Sequence, residues 1–126
     1  MMGKTRVLLV DDEQGFLSIM RRRLQLRSLE VDTASDGEEA LRAVRDTVFD
    51  VMILDLRMPG MDGLEVLRRV KEIAPKLPVI ILTGHGDSED EDLAYRLGCF
   101  QFLRKPVELD MILESILKAR DNNNLL

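Results

Sequence analysis

The sequence is short of the residues that most often announce chemistry. It has one cysteine, Cys99, and one histidine, His85. A lone cysteine excludes an internal disulfide, and one Cys with one His nearly excludes a structural zinc site. The absence of disulfides fits a reducing cytoplasm, where the chain is expected to act. There is no Trp and only one Tyr. No G-x-x-x-x-G-K-[ST] loop occurs, and no G-x-G-x-x-G follows the first apolar run, so a nucleotide site is not expected. A basic excess is also missing: 18 Lys and Arg stand against 23 Asp and Glu, a net charge of -5. That argues against direct nucleic-acid binding. The apolar runs are far shorter than a membrane span, and no signal-peptide core is recognisable at the N-terminus.

What is present is enough for one domain. The 126 residues are 45% hydrophobic and 33% charged, which allows a real core but not two of them. The expected division is a domain over 1–121 and a polar tail over 122–126.

Three apolar runs dominate: Arg6 to Val10, Val51 to Leu54 and Val79 to Leu82. Unbroken apolar runs of this length mark strands covered on both faces. Glu30 to Ala34 alternates and predicts a half-exposed edge strand. Phe100 to Leu103 predicts a last short strand. Helical spacing predicts helices over about Gln14 to Leu26, with Phe16, Leu17, Met20 and Leu24 inward, and Gly63 to Ile73, with Leu67, Val70 and Ile73 inward. Ser35 with Glu38, and Ser88 with Glu91, have capping-box spacing at two further helix starts. The helix opened by Ser35 carries Ala40, Leu41 and Val44. The one opened by Ser88 carries Leu93, Ala94 and Leu97 and ends at Gly98. The final helix, Glu108 to Arg120, is expected to bury Leu109, Ile112, Leu113, Ile116 and Leu117. Five strands alternating with five helices imply an α/β three-layer sandwich around a five-stranded parallel sheet. The flavodoxin-like (βα)5 order 2-1-3-4-5 puts the apolar runs inside and the alternating strand at an edge.

Four of the five strands deliver polar groups to their carboxyl ends, where ligands bind in such sheets. They are Asp11 and Asp12, Asp55, Thr83 and Lys105. Each alone has a plain structural explanation, as a cap, a turn or a solvated loop residue. Together they meet on one sheet edge. Clustered carboxylates repel one another, and burial raises that cost. They call for a cation, and oxygen ligands with open water positions suit Mg²⁺. Lys105 adds a charge to hold an anion, Thr83 a hydroxyl, and Gly84 room for an anion at its backbone N–H. A phosphoryl group fits these partners, and an Asp carboxylate can accept it as an aspartyl phosphate.

The segments VLLVDDE, DVMILDLRMPGMDG, VIILTGHGD and FLRKP, in this order and spacing, resemble the receiver domain of two-component response regulators over almost the whole chain. The resemblance implies that Asp55 is the phosphoacceptor. It implies that Asp12, Asp55 and the backbone carbonyl of Arg57 bind Mg²⁺, with Asp11 helping through water and Mn²⁺ as a substitute ion. Thr83 and Lys105 would contact the phosphoryl oxygens. Phe102 would hold the aromatic switch position and turn inward on phosphorylation, and the Lys105-Pro106 bond is often cis. Arg57 and His85 occupy the variable flanking positions, where they either tune phosphate lifetime or are plain loop residues. The implied partners are a sensor histidine kinase or phosphotransfer protein, then an output domain or a second copy of the chain. The role is that of a regulatory phosphoacceptor that assists its own chemistry, not that of an enzyme.

Three other functions fit less well. A Mg²⁺-dependent phosphatase would need a general acid and usually a substrate cap, and no insertion here is long enough to form one. A flavin-based electron carrier would not place an acid where the flavin phosphate needs donors. A degenerate receiver would not keep the acid, Thr and Lys set. Cys99, the seven methionines and Arg21-Arg22-Arg23 are read as packing or solvated surface.

Overall fold

The computed structural model describes residues 3–124. Five parallel strands, β1 (Arg6–Val10), β2 (Glu30–Ala34), β3 (Val51–Leu54), β4 (Val79–Thr83) and β5 (Gln101–Arg104), lie in the order β2-β1-β3-β4-β5. Between and after them run α1 (Gln14–Gln25), α2 (Gly37–Asp46), α3 (Gly63–Ile73), α4 (Ser88–Arg96) and α5 (Leu109–Asn124).

Strand alternation sorts the core into two halves. Leu8, Val10, Met52, Leu54 and Ile81 face α2, α3 and α4, where they meet Ala40, Leu41, Val66, Leu67 and Ala94. Val7, Leu9, Ile53, Ile80 and Leu82 face α1 and α5, against Leu17, Leu24, Ile112 and Ile116. Apolar contact on both faces is why the inner strands read as unbroken runs. The edge strand β2 keeps Glu30 exposed and buries Val31 and Ala34.

Several local expectations are corrected. The cap of α2 is Asp36, which accepts from the Glu39 N–H, while Ser35 donates to the Glu39 carboxylate. The cap of α4 is Asp87, in a reciprocal box with Asp90. In both places an Asp beside the expected Ser takes the cap, where its charge also meets the positive end of the helix. Val66 is buried in α3 while Ile73 is only half-buried. Leu93 and Leu117 are exposed, their places against the sheet taken by Ala94 and by Ser115, Ile116 and Ala119. The final helix continues through Asn124, past the expected start of the polar tail, since no Gly or Pro stops it. Residues 125–126 lie outside the described residues. Gly98 ends α4 as expected, with φ +103.

The loop from β3 to α3 is the tightest point near the strand ends. The Gly63 N–H donates to the Leu56 carbonyl at 2.8 Å. A Cβ on Gly63 would stand 2.5 Å from the Asp55 carbonyl oxygen and 2.5 Å from the Leu56 Cα. Those are backbone atoms and cannot swing aside. Gly63→Ala is therefore expected to destabilise the fold by about 1–3 kcal/mol. Gly15→Ala, in α1 with nothing within 4 Å of the added methyl, is expected to stabilise it by about 0.5–1 kcal/mol. Urea unfolding of the two variants checks this, and equal midpoints would contradict it.

Candidate functional site

Each polar group is delivered by a strand that ends on the same side of the sheet. Val10 pairs in register with Leu54, and the Asp55 N–H donates to the Val10 carbonyl at 3.0 Å. Asp11 and Asp55 thus leave adjacent strands at the same level. On the other side Leu54 pairs with Ile81, and the Lys105 N–H donates to the Thr83 carbonyl at 2.8 Å. The Lys105-Pro106 bond is cis.

The carboxylates of Asp11, Asp12 and Asp55 offer oxygens within 4.8 Å of one another. Asp11 and Asp55 are buried and Asp12 is exposed. The oxygens of Asp11 are already engaged: Oδ1 accepts from the Glu13 N–H at 3.0 Å and Oδ2 from Lys105 Nζ at 2.7 Å. Asp55 differs, since its Oδ1 is buried and has no hydrogen-bond partner among the described residues. A buried, unpartnered carboxylate oxygen is costly unless something else approaches it. The trio fits a small hard cation, with Asp12 and Asp55 the less committed carboxylates and Asp11 held by Lys105 and the α1 backbone.

Thr83 is fully buried, and its Oγ1 accepts the His85 N–H at 3.1 Å. Accepting that bond leaves the hydroxyl proton free to donate elsewhere. The side chains of His85 and Arg57 are exposed. Beside Asp12 opens a cleft of about 510 Å³ walled by Leu56, Arg57, Met58, Asp62 and Gly86 among others. The three acids and Lys105 thus meet at the strand ends, Arg57 walls the cleft beside Asp12, and Thr83 ends the neighbouring strand β4.

Phe102 departs from expectation. Its ring is already buried, packed with Leu56 and next to Gly86. The Arg104 guanidinium lies 4.9 Å over that ring while donating to the Gly86 carbonyl and to Glu91. The Phe102 N–H donates to the Tyr95 hydroxyl at 3.0 Å. Arg104 and Tyr95 were not singled out in the sequence, and only the alternation of β5 hints that Arg104 shares a face with Phe102. Helical spacing points Phe16 at the core, yet the centroid of its ring lies 4.0 Å from Lys105 Nζ. Cys99 is buried, and burial pushes its thiol up to about 11, so it packs and carries little thiolate at neutral pH.

Comparison with known proteins agrees with this geometry. The family model described as the response regulator receiver domain matches residues 7–117. The transcriptional regulatory protein GlrR of Escherichia coli is 41% identical over 87% of this chain and 25% of its own length. The C4-dicarboxylate transport transcriptional regulatory protein DctD of Pseudomonas aeruginosa is 38% identical over 98% of this chain and 27% of its own. The chain thus spans about a quarter of these relatives. A solved receiver domain from Clostridium thermocellum superposes with a TM-score of 0.91 at 38% identity, covering 96% of this chain and 98% of that one. A CheY-like receiver domain protein from Methanospirillum hungatei gives 0.94 at 26% identity, covering 97% and 98%. With the strand order, the acidic trio and the paired Lys105 already in place, these matches make the chain a member of the response regulator receiver domain family.

Proposed function

We propose that Asp55 is the phosphoacceptor of this receiver and that Thr83 and Lys105 bind the transferred group. The observation that carries this is Asp55 itself: a buried carboxylate whose Oδ1 has no partner among the described residues, beside two further acids, one of which, Asp11, holds the Lys105 ammonium. In the step proposed, an Asp55 oxygen forms a bond to phosphorus as the bond from phosphorus to a donor histidine nitrogen breaks. The electron pair leaves with the imidazole, which takes a proton from water. The Thr83 hydroxyl donates to one phosphoryl oxygen, and Lys105 turns its charge toward another. Mg²⁺, held by Asp12, Asp55 and the Arg57 carbonyl with Asp11 acting through water, would supply neutralising charge when bound, and Mn²⁺ would serve in its place.

On this reading the receiver closes with α5, which runs through Asn124. The input is a sensor histidine kinase or a phosphotransfer protein in the cytoplasm. The output is an attached or separate effector domain, or a second copy of the chain, and this domain does not itself bind nucleic acid. The role is regulatory. Arg57 and His85 flank the approach of water and set the phosphate lifetime.

A relay to the output surface runs through Thr83. The phosphate draws the hydroxyl away from the His85 N–H, which frees the loop between β4 and α4. A Cβ on Gly86 in that loop would meet both Leu56 and Phe102, so the loop lies against the ring that already fills this space and its shift holds the ring there more firmly. The effect then spreads through Arg104 to α4 and through β5 to α5. A phosphate can shift this equilibrium only by binding one arrangement better.

Two measurements test the proposal. Acetyl phosphate with Mg²⁺ is expected to add one hydroxylamine-labile phosphate to the wild type and none to Asp55→Asn, by intact mass. Labelling of the variant equal to the wild type would place the acceptor elsewhere. The same assay gives the phosphate lifetime, which exchanging Arg57 and His85 for Ala is expected to change. Beryllofluoride, a phosphoryl mimic, is expected to shift NMR resonances in α4, β5 and α5 of the wild type. Thr83→Ala is expected to bind it yet lose most of those distant shifts. Retention of the full set would remove the hydroxyl from the relay.

A further inference from the structure

The Lys105 ammonium is held from two directions. On one side is the Asp11 carboxylate, 2.7 Å away. On the other is the Phe16 ring, whose centroid lies 4.0 Å from Nζ. The Lys105 side chain is only 22% exposed. Phe16 stands in the first turn of α1, partly buried against the core half that includes Leu17 and Ile112. Its ring carries no ligand atom and it is not one of the acidic trio, so neither the reaction nor the ion site already described uses it.

The two holders differ in how they respond to chemistry. Asp11 is charged and belongs to the trio, so its pull on Lys105 weakens once its charge is shared with a cation. Lys105 must then pivot toward the phosphoryl oxygens. The ring is neutral, and its attraction for an ammonium survives any redistribution of charge among the acids. It also covers one side of the Lys105 head, removing water and narrowing the rotamers open to a four-carbon chain.

We propose that Phe16 is a positioning residue for phosphoryl transfer: its ring holds the Lys105 ammonium over the strand ends while Asp11 exchanges partners. The inference rests on the assignment of Lys105 to the phosphoryl group. An aliphatic side chain of similar size fills the space but lacks the quadrupole that attracts the cation. The face of the ring, not its bulk, carries the effect.

The test compares wild type, Phe16→Leu, Phe16→Trp and Lys105→Ala. Phe16→Leu is expected to slow phosphorylation by saturating acetyl phosphate roughly threefold to tenfold and to weaken beryllofluoride binding by a similar factor. Its Mg²⁺ affinity is expected to stay within about twofold of wild type, since no proposed ion ligand changes. Phe16→Trp, which keeps the aromatic face, is expected to restore both values. The Lys105 ε-methylene protons are expected to show an upfield ring-current shift in wild type and Phe16→Trp that persists when beryllofluoride binds, and its disappearance on binding would overturn the inference. Wild-type rates and beryllofluoride affinity in Phe16→Leu would overturn the inference while leaving the parent reading intact. So would an equal loss in Phe16→Leu and Phe16→Trp, which would mean bulk alone matters. If Lys105→Ala itself phosphorylates and binds beryllofluoride like wild type, the parent assignment fails and the role of Phe16 falls with it.

Discussion

Everything at the strand ends is arranged around the repulsion between three carboxylates. Asp11, Asp12 and Asp55 bring oxygens within 4.8 Å of one another, and two of the three are buried. Like charges that close, away from water, destabilise whatever fold brings them together. The protein offsets the repulsion only in part. Lys105 and the Glu13 N–H attend to Asp11, and nothing among the described residues attends to Asp55 Oδ1. The remaining attraction is left for a cation. A site balanced this way is a weak structural element and a good receptor, as expected where stability and function compete.

The rest of the chain makes that imbalance tolerable. Adjacent parallel strands in fixed register place the acids without any adjustable loop between them and the core. Apolar side chains cover both faces of the inner strands, so moving Asp55 means moving β3. Gly63 lets the loop after β3 fold back onto the backbone of Asp55 and Leu56. The more compliant parts are elsewhere. The loop between β4 and α4 is tied by the cap at Asp87, whose carboxyl is held below its usual range by backbone hydrogen bonds led by the Asp90 N–H. It is tied to β5 by Arg104, which is exposed. Exposed ties of this kind contribute little to stability and yield readily.

Strand order and site composition were legible in the sequence because both follow from burial. Strands covered on two faces have no polar positions to spare, so a polar residue at the end of such a run marks the point where the sheet meets solvent. Asp11, Asp55, Thr83 and Lys105 were found that way. Features set by competition between neighbours were not legible. Ser35 and Ser88 have the spacing of caps, but Asp36 and Asp87 take the position. Leu93 and Leu117 continue a helical pattern, yet small residues, Ala94 and Ala119, pack against the sheet. The ring of Phe102 sits beside Gly86, which comes from the loop between β4 and α4, and under the guanidinium of Arg104 two residues on. The contact of Phe16 with Lys105 joins α1 to the end of β5, elements far apart in the chain. Helical periodicity marks such a residue as inward-facing and says nothing of the ammonium it meets.

The central claim is that crowded carboxylates leave attraction to spare for a cation, and thermal unfolding with and without Mg²⁺ tests it most directly. Without Mg²⁺, Asp55→Asn is expected to melt above the wild type, because one buried charge is gone from the trio. Mg²⁺ at a hundred times its Kd is expected to stabilise the wild type by about 2.7 kcal/mol and the variant by much less. A wild-type melting temperature that does not respond to Mg²⁺, together with an Asp55→Asn variant no more stable than its parent, would contradict the account.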